Sequence, residues 1–214
     1  MKKLLLFLLF IGGLVFFGCS KEDNSIVSPI AQDKPVADKP AWLKAAEAQG
    51  LQLITLPPNT EKSLEKKTSE TTKYVRYDKL TVISILDMYR SDRRMVVLFA
   101  SLTIRPFSLK ESMDITMEFT DDEFSTVSLG PVDLSFNPGG TDFIKPALLN
   151  VVATGLDLSG LSQNDQLQLA CYDDVSTRWI YPIPAAKISF NVRTGSLICI
   201  NGEIHHFSRY GFVK

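Results

Sequence analysis

The chain is poor in the residues from which most chemical sites are built. Its 214 residues include three cysteines, two histidines and two tryptophans. The cysteines, at 19, 171 and 199, form no CxxC pair, and no His/Cys spacing suits zinc. A Ser/His/Asp set, a nucleotide-binding glycine loop and paired carboxylates in a recognisable context are also missing. The reading is therefore of a non-enzyme with no cofactor and no metal. A large excess of one charge is missing too. The net charge is −1, and −3 once residues 1–18 are removed with Lys2 and Lys3. Such a chain is a poor partner for nucleic acid, which calls for basic patches. No apolar run reaches the roughly 20 residues of a membrane-spanning helix.

What is present begins at the N-terminus. Lys2 and Lys3 are followed by an apolar stretch, residues 4–17, broken only by a glycine pair, then by Gly18 and Cys19. This is the build of a bacterial lipoprotein signal peptide, an export segment outside the fold. Cys19 is then the site of lipid attachment. Each buried CH₂ contributes about 0.8 kcal/mol, and a cysteine bearing two or three acyl chains (palmitate among them) is held stably at a membrane. Phe16 and Phe17 replace the small residues that a plain cleaved signal prefers before its cut. They also replace the leucine and small residue usual before a lipoprotein cysteine. An uncleaved anchor and simple secretion are the alternatives. Ser20 is not the acidic residue that tends to retain such proteins at the inner membrane of enteric bacteria, so the outer membrane is the expected location.

Residues 19–72 read as a tether. Prolines fall at 29, 35, 40, 57 and 58, with charged and small polar residues between them, a composition that favours extended or disordered chain. One exception is residues 39–52 (KPAWLKAAEAQGLQ). Pro40 suits a first helical turn, Ala45, Ala46 and Ala48 favour helix, and Gly50 stops it. A short helix near 40–49 is expected, docking through Trp42, Leu43 and Ala46 or serving a partner. From residue 73 to 214 the texture changes to short β-branched or alternating runs separated by Gly, Asn and Asp. The run DITMEF at 114–119 alternates with a period of two. About ten such strands are expected, one running from 126 to 136 and a last one from 204 to 213. This pattern predicts an all-β antiparallel fold, a sandwich or a barrel; the resemblance described below implies the β-sandwich. With 13 Phe and 6 Tyr the chain can fill its core. Trp179 beside Tyr181 looks like a core or inter-sheet plug. Pro146 points to an extended edge, and Gly139 and Gly140 to a turn. Asp121, Asp122 and Glu123 form a run better read as a solvated turn than as a calcium site. Cys171 and Cys199 lie in strand-like contexts. They either form a disulfide outside the cytoplasm or serve as small buried hydrophobes.

Four ordered stretches carry a resemblance. They are SLTIRPFSL at 101–109 leading into DITM, FNPGGTDFIKPAL at 136–148, GLDLSG at 155–160 and HFSRY at 206–210. Together they resemble the ZU-five domain, the β-sandwich shared by ankyrins, netrin receptors and death-domain adaptors. The nearest form is the one in bacterial surface lipoproteins. There the pattern runs I-P-x-G-A-L, I-T-M, F-x-P-x-G-x-x-F-x-K-P-A, W, H-F-S-R-Y. The likeness covers roughly residues 76–214. One departure concerns the first element. Here it is Ile104-Arg105-Pro106-Phe107-Ser108-Leu109, with the proline displaced and the glycine missing, which leaves the early turn geometry open.

The resemblance implies a non-enzymatic, membrane-anchored sandwich that binds an unidentified envelope protein or serves envelope structure. It also implies one alternative. In some animal members HFS cuts itself between Phe and Ser, which here means between Phe207 and Ser208. The Ser208 hydroxyl would attack the preceding carbonyl with His206 or His205 as base. A serine hydroxyl is a weak nucleophile without such a base. Fold-level likeness names no ligand. If Cys19 carries the lipid, Cys19→Ala should move the protein out of the detergent phase in phase partitioning and leave it unprocessed. A Cys19→Ala protein that is processed and membrane-bound like wild type would refute the assignment.

Overall fold

The computed structural model describes residues 39–57, 69–92, 94–119, 130–131, 134–137 and 141–214. Cys19 with its signal, the run Asp121, Asp122 and Glu123, and the pair Gly139 and Gly140 all lie outside the described residues. The described chain is an all-β antiparallel sandwich. A six-stranded sheet has the order β10 (Arg178–Ile183), β9 (Gln168–Asp173), β13 (Arg209–Val213), β7 (Leu134–Asn137), β5 (Met113–Phe119) and β2 (Ser69–Val75). A five-stranded sheet has the order β11 (Lys187–Asn191), β12 (Ser196–His206), β8 (Asp142–Thr154), β4 (Arg94–Ile104) and β3 (Thr81–Ser91). A two-residue pair, β1 (Thr55–Leu56) with β6 (Gly130–Pro131), sits beside them.

Period-two alternation builds the core. Ile83 and Ile85 of β3, Val96 to Ile104 of β4 at every second residue, and Leu149, Val151 and Ala153 of β8 point inward and are buried. They meet Ile115, Met117 and Phe119 of β5, Leu169 of β9 and Phe212 of β13 from the other sheet. The polar stretch YRSDRR, whose composition suggests a connection between two strands, is strand at 89–91 and again at 94. β3 and β4 pair in register as far as Ser91 opposite Arg94. Asp92 turns the chain there at φ +46°, a left-handed conformation that aspartate tolerates.

Part of the segment read as a tether belongs to the sandwich. β2 begins at Ser69 and pairs with β5 along its whole length. Helix α1 (Ala41–Ala48) packs on the outer face of the six-stranded sheet, where Trp42, Ala45 and Ala46 cover Ala170, Tyr172, Trp179 and Val213. Its end is a Schellman motif. The Leu51 amide donates to Ala46 and that of Gly50 to Glu47, with Gly50 at φ +68°. Trp179 is therefore buried on an outer face under the helix and not between the sheets, and its indole Nε1 donates to the Trp42 carbonyl at 2.8 Å. The Gln49 amide continues the contact. It accepts from the Trp179 N–H at 2.7 Å and donates to the Trp179 carbonyl at 3.0 Å. A side-chain amide thus stands in for a neighbouring strand on the free edge of β10. Gln163 does the same for β11, bonding the Phe190 carbonyl and the Val192 N–H.

Pro146 lies in β8, an interior strand and not an edge. It is tolerated because β4 pairs only from Leu148 onward and the β12 register slips between Ile204 and His206. The cysteine pair also resolves. Cys171 in β9 and Cys199 in β12 belong to opposite sheets, and both are free and buried. They act as small apolar core residues, and the disulfide is not formed. Burial pushes each thiol from 9.0 up to about 11. The folded protein holds these protons to higher pH than the unfolded chain does, so their contribution is complete below pH 9 and is lost as pH rises toward 11. Stability to urea should fall across that window by roughly 2–3 kcal/mol per thiol. Replacing both cysteines with alanine should make the slope shallower, the buried Tyr89 and Tyr210 phenols, also raised by burial, keeping the remainder. An unchanged slope in that variant would contradict the burial argument.

Candidate functional site

The HFSRY segment is where the chain passes from one sheet to the other. It was expected inside a single last strand, but the structure ends β12 at His206 and starts β13 at Arg209. Phe207 and Ser208 form the crossing. Two aromatic rings hold Phe207 in the core, Phe143 at 4.6 Å edge-on and Phe136 at 6.1 Å stacked. Its amide donates to the Thr141 carbonyl at 2.9 Å. The Tyr210 hydroxyl donates back to the His206 carbonyl at 2.6 Å, four residues upstream, the same device as a tyrosine corner in other sandwiches. Arg209 lies 5.1 Å above the Trp42 ring, a cation–π contact that ties the corner to α1.

Around the corner the structure gathers Cys171, His206, Ser208 and Tyr210. His206 Nε2 lies 3.8 Å from Cys171 Sγ. The Ser208 hydroxyl donates to the Tyr172 carbonyl oxygen across the sheet. Burial dominates the raised Cys171 thiol, and the Ser208 and Tyr210 hydroxyls beside it pull the other way. Burial also raises the Tyr210 phenol well above its usual value. Of the two candidate bases, His205 is exposed and faces Glu203, with Nε2 3.7 Å from the carboxylate. His206 faces Cys171. The Ser208 proton thus points at an amide carbonyl, which takes no proton, so this geometry leaves the hydroxyl unactivated. Cys171 was missed as a neighbour of the HFS segment because the adjacency is made by β9 pairing with β13, Tyr210 opposite Cys171, some forty positions apart in sequence.

Two surface features stand out. The first is the outer face of the five-stranded sheet. Leu86, Phe99, Val152 and Ile198 face one another across four strands and are all exposed. Val82, Met88, Met95 and Ile200 extend the patch. α1 covers part of the opposite sheet, and no described residue covers this one. The second is the turn at 105–109. Phe107 takes φ +62°, a left-handed conformation that for a bulky residue costs about 1–3 kcal/mol. Beside it Ser108 is fully buried, and its Oγ has no hydrogen-bond partner, a further cost of about 1–3 kcal/mol.

Among the described residues, no three His, Cys, Asp or Glu side chains converge as a metal site, and no helix is long and apolar enough to cross a membrane. Comparisons with known proteins found no matching family model, no matching curated protein and no matching solved structure.

If Phe207 anchors the corner, Phe207→Ala should cost about 3–5 kcal/mol in urea unfolding. Ser208→Ala should cost only about 1 kcal/mol, the worth of one hydrogen bond. Intact mass should show wild type and Ser208→Ala both at full C-terminal length. A break after Phe207 in wild type, closed by Ser208→Ala, would establish self-cleavage instead.

Proposed function

We propose that this chain is a lipid-anchored protein of the bacterial envelope, held through Cys19, whose ZU-five-like sandwich binds a protein partner and performs no reaction. The observation that carries the binding reading is the uncovered apolar row Leu86–Phe99–Val152–Ile198. Antiparallel sheets normally alternate apolar inward and polar outward. Contiguous exposed apolar patches mark interaction sites. The corner chemistry supports the same reading, because the polar groups of HFSRY are spent on structure. The family resemblance gains support at its weakest point. The pattern's glycine falls on Phe107, and the left-handed backbone there is the one that glycine adopts freely. The pattern's alanine falls on Ser108, whose hydroxyl is buried without a partner. Ser20 after the lipidated cysteine favours placement at the outer membrane.

The test is a photo-crosslinking amino acid placed at Phe99 in the native envelope, with Arg193 in the β11–β12 turn as control. A discrete protein adduct should form from Phe99 and not from Arg193. Leu86→Glu, which leaves the core side of β3 untouched, should abolish it. Equal crosslinking from both positions would sink the proposal.

A further inference from the structure

At one end of the sandwich the loops carry an exposed aromatic tip. The start of β3 lies opposite the end of β4, with Thr81 paired to Ile104, and there the turns at 76–80 and 105–112 meet. The Phe107 amide donates to the Tyr77 carbonyl at 2.6 Å, and the Ile144 amide donates to the Ser108 carbonyl at 2.8 Å. The two rings, Tyr77 and Phe107, lie edge-on at 6.0 Å. They shield little of each other: Phe107 is 55% exposed and Leu80 62%, with Tyr77 and Ile144 also exposed. Phe107 is thus held in a strained conformation and still aimed at solvent. Folding gains little from that arrangement, and such outliers gather at sites of function.

Charge sets the tip apart from the rest of the chain. Segments 76–80, 105–112 and 144–145 contain five basic residues, Arg76, Lys79, Arg105, Lys110 and Lys145, against two acidic ones, Asp78 and Glu111. Arg76 already neutralises Asp78 through bonds of 3.0 and 2.7 Å. The tip is net +3 in a protein that is net −1. Aromatic rings that are apolar at the body, ringed by exposed lysine and arginine, match the boundary of an anionic bilayer. There rings enter the headgroup layer and cations meet phosphates.

We propose that the Tyr77–Phe107 tip docks on an anionic lipid surface, with Phe107 and Leu80 entering the headgroup region and the basic loops binding lipid phosphates. This contact is independent of the anchor proposed at Cys19 and of the sheet face.

The test uses two full-length variants, Phe107→Trp at the tip and Arg193→Trp at the far end, each added to vesicles with brominated acyl chains. Both share the same N-terminal segment, so their difference reports the tip alone. With mixed phosphatidylglycerol and phosphatidylcholine, Phe107→Trp should shift to shorter emission wavelength and be quenched several-fold more than Arg193→Trp. The quenching should weaken with added salt and with phosphatidylcholine alone. Tyr77→Trp gives a second reporter should Phe107→Trp disturb the turn. Equal quenching at both ends of the molecule would overturn the proposal. So would a tip emission that ignores vesicles and shifts with an envelope-protein fraction, which would make the tip a protein contact.

Discussion

The fold depends on the burial of Phe207 at the point where the chain leaves one sheet and joins the other. β12 and β13 are consecutive in sequence but sit in different layers. The two residues between them must turn inside the molecule, where unpaired backbone groups are costly. The Phe207 amide finds Thr141, the Ser208 hydroxyl finds Tyr172, and the His206 carbonyl takes the Tyr210 hydroxyl. Phe136 and Phe143 close over the ring. With the corner fixed, β13 lies beside β9, and β9 in turn presents Ala170 and Tyr172 to the helix.

The two outer faces are treated differently. The six-stranded sheet carries α1 on its β9–β10 side, where a Trp–Trp contact and one glutamine amide complete both the surface and the strand edge. Among the described residues, nothing covers the apolar row of the five-stranded sheet. The tip adds a second exposed feature, with strain and positive charge in the same few residues. A protein built only to be stable would have a polar sheet face, and a glycine at 107 would relieve the turn. The departures from stability coincide with the surfaces that are apolar and reachable, as expected where function and folding compete.

Much of the fold was legible in the residue pattern. Alternation along Asp114 to Phe119 placed Ile115, Met117 and Phe119 in the core, and the alanine-rich stretch ended by Gly50 marked the helix. Residues 89–91 were not legible as strand, because arginine and serine mask a hairpin in which Asp92 is left-handed. The break at Phe207 was not legible either, since HFSRY has the composition of a continuous strand. The exposed row did leave a trace. Val96-Val97-Leu98-Phe99-Ala100 is apolar on both faces, the mark of a strand covered on both sides, and no segment in the described chain supplies the second cover.

By itself the sequence determined the class: period-two alternation buries one side of each strand in antiparallel sheets, and the strand order then made two facing sheets of them. Only the tertiary structure decided which residues meet. Cys171 stands beside His206, Gln49 caps β10, and Phe107 shares a tip with Tyr77. These pairs are some thirty to one hundred and thirty positions apart. Local periodicity carries the direction of a side chain along its strand. Neighbours across a sheet are set by strand order and register, which belong to the whole chain.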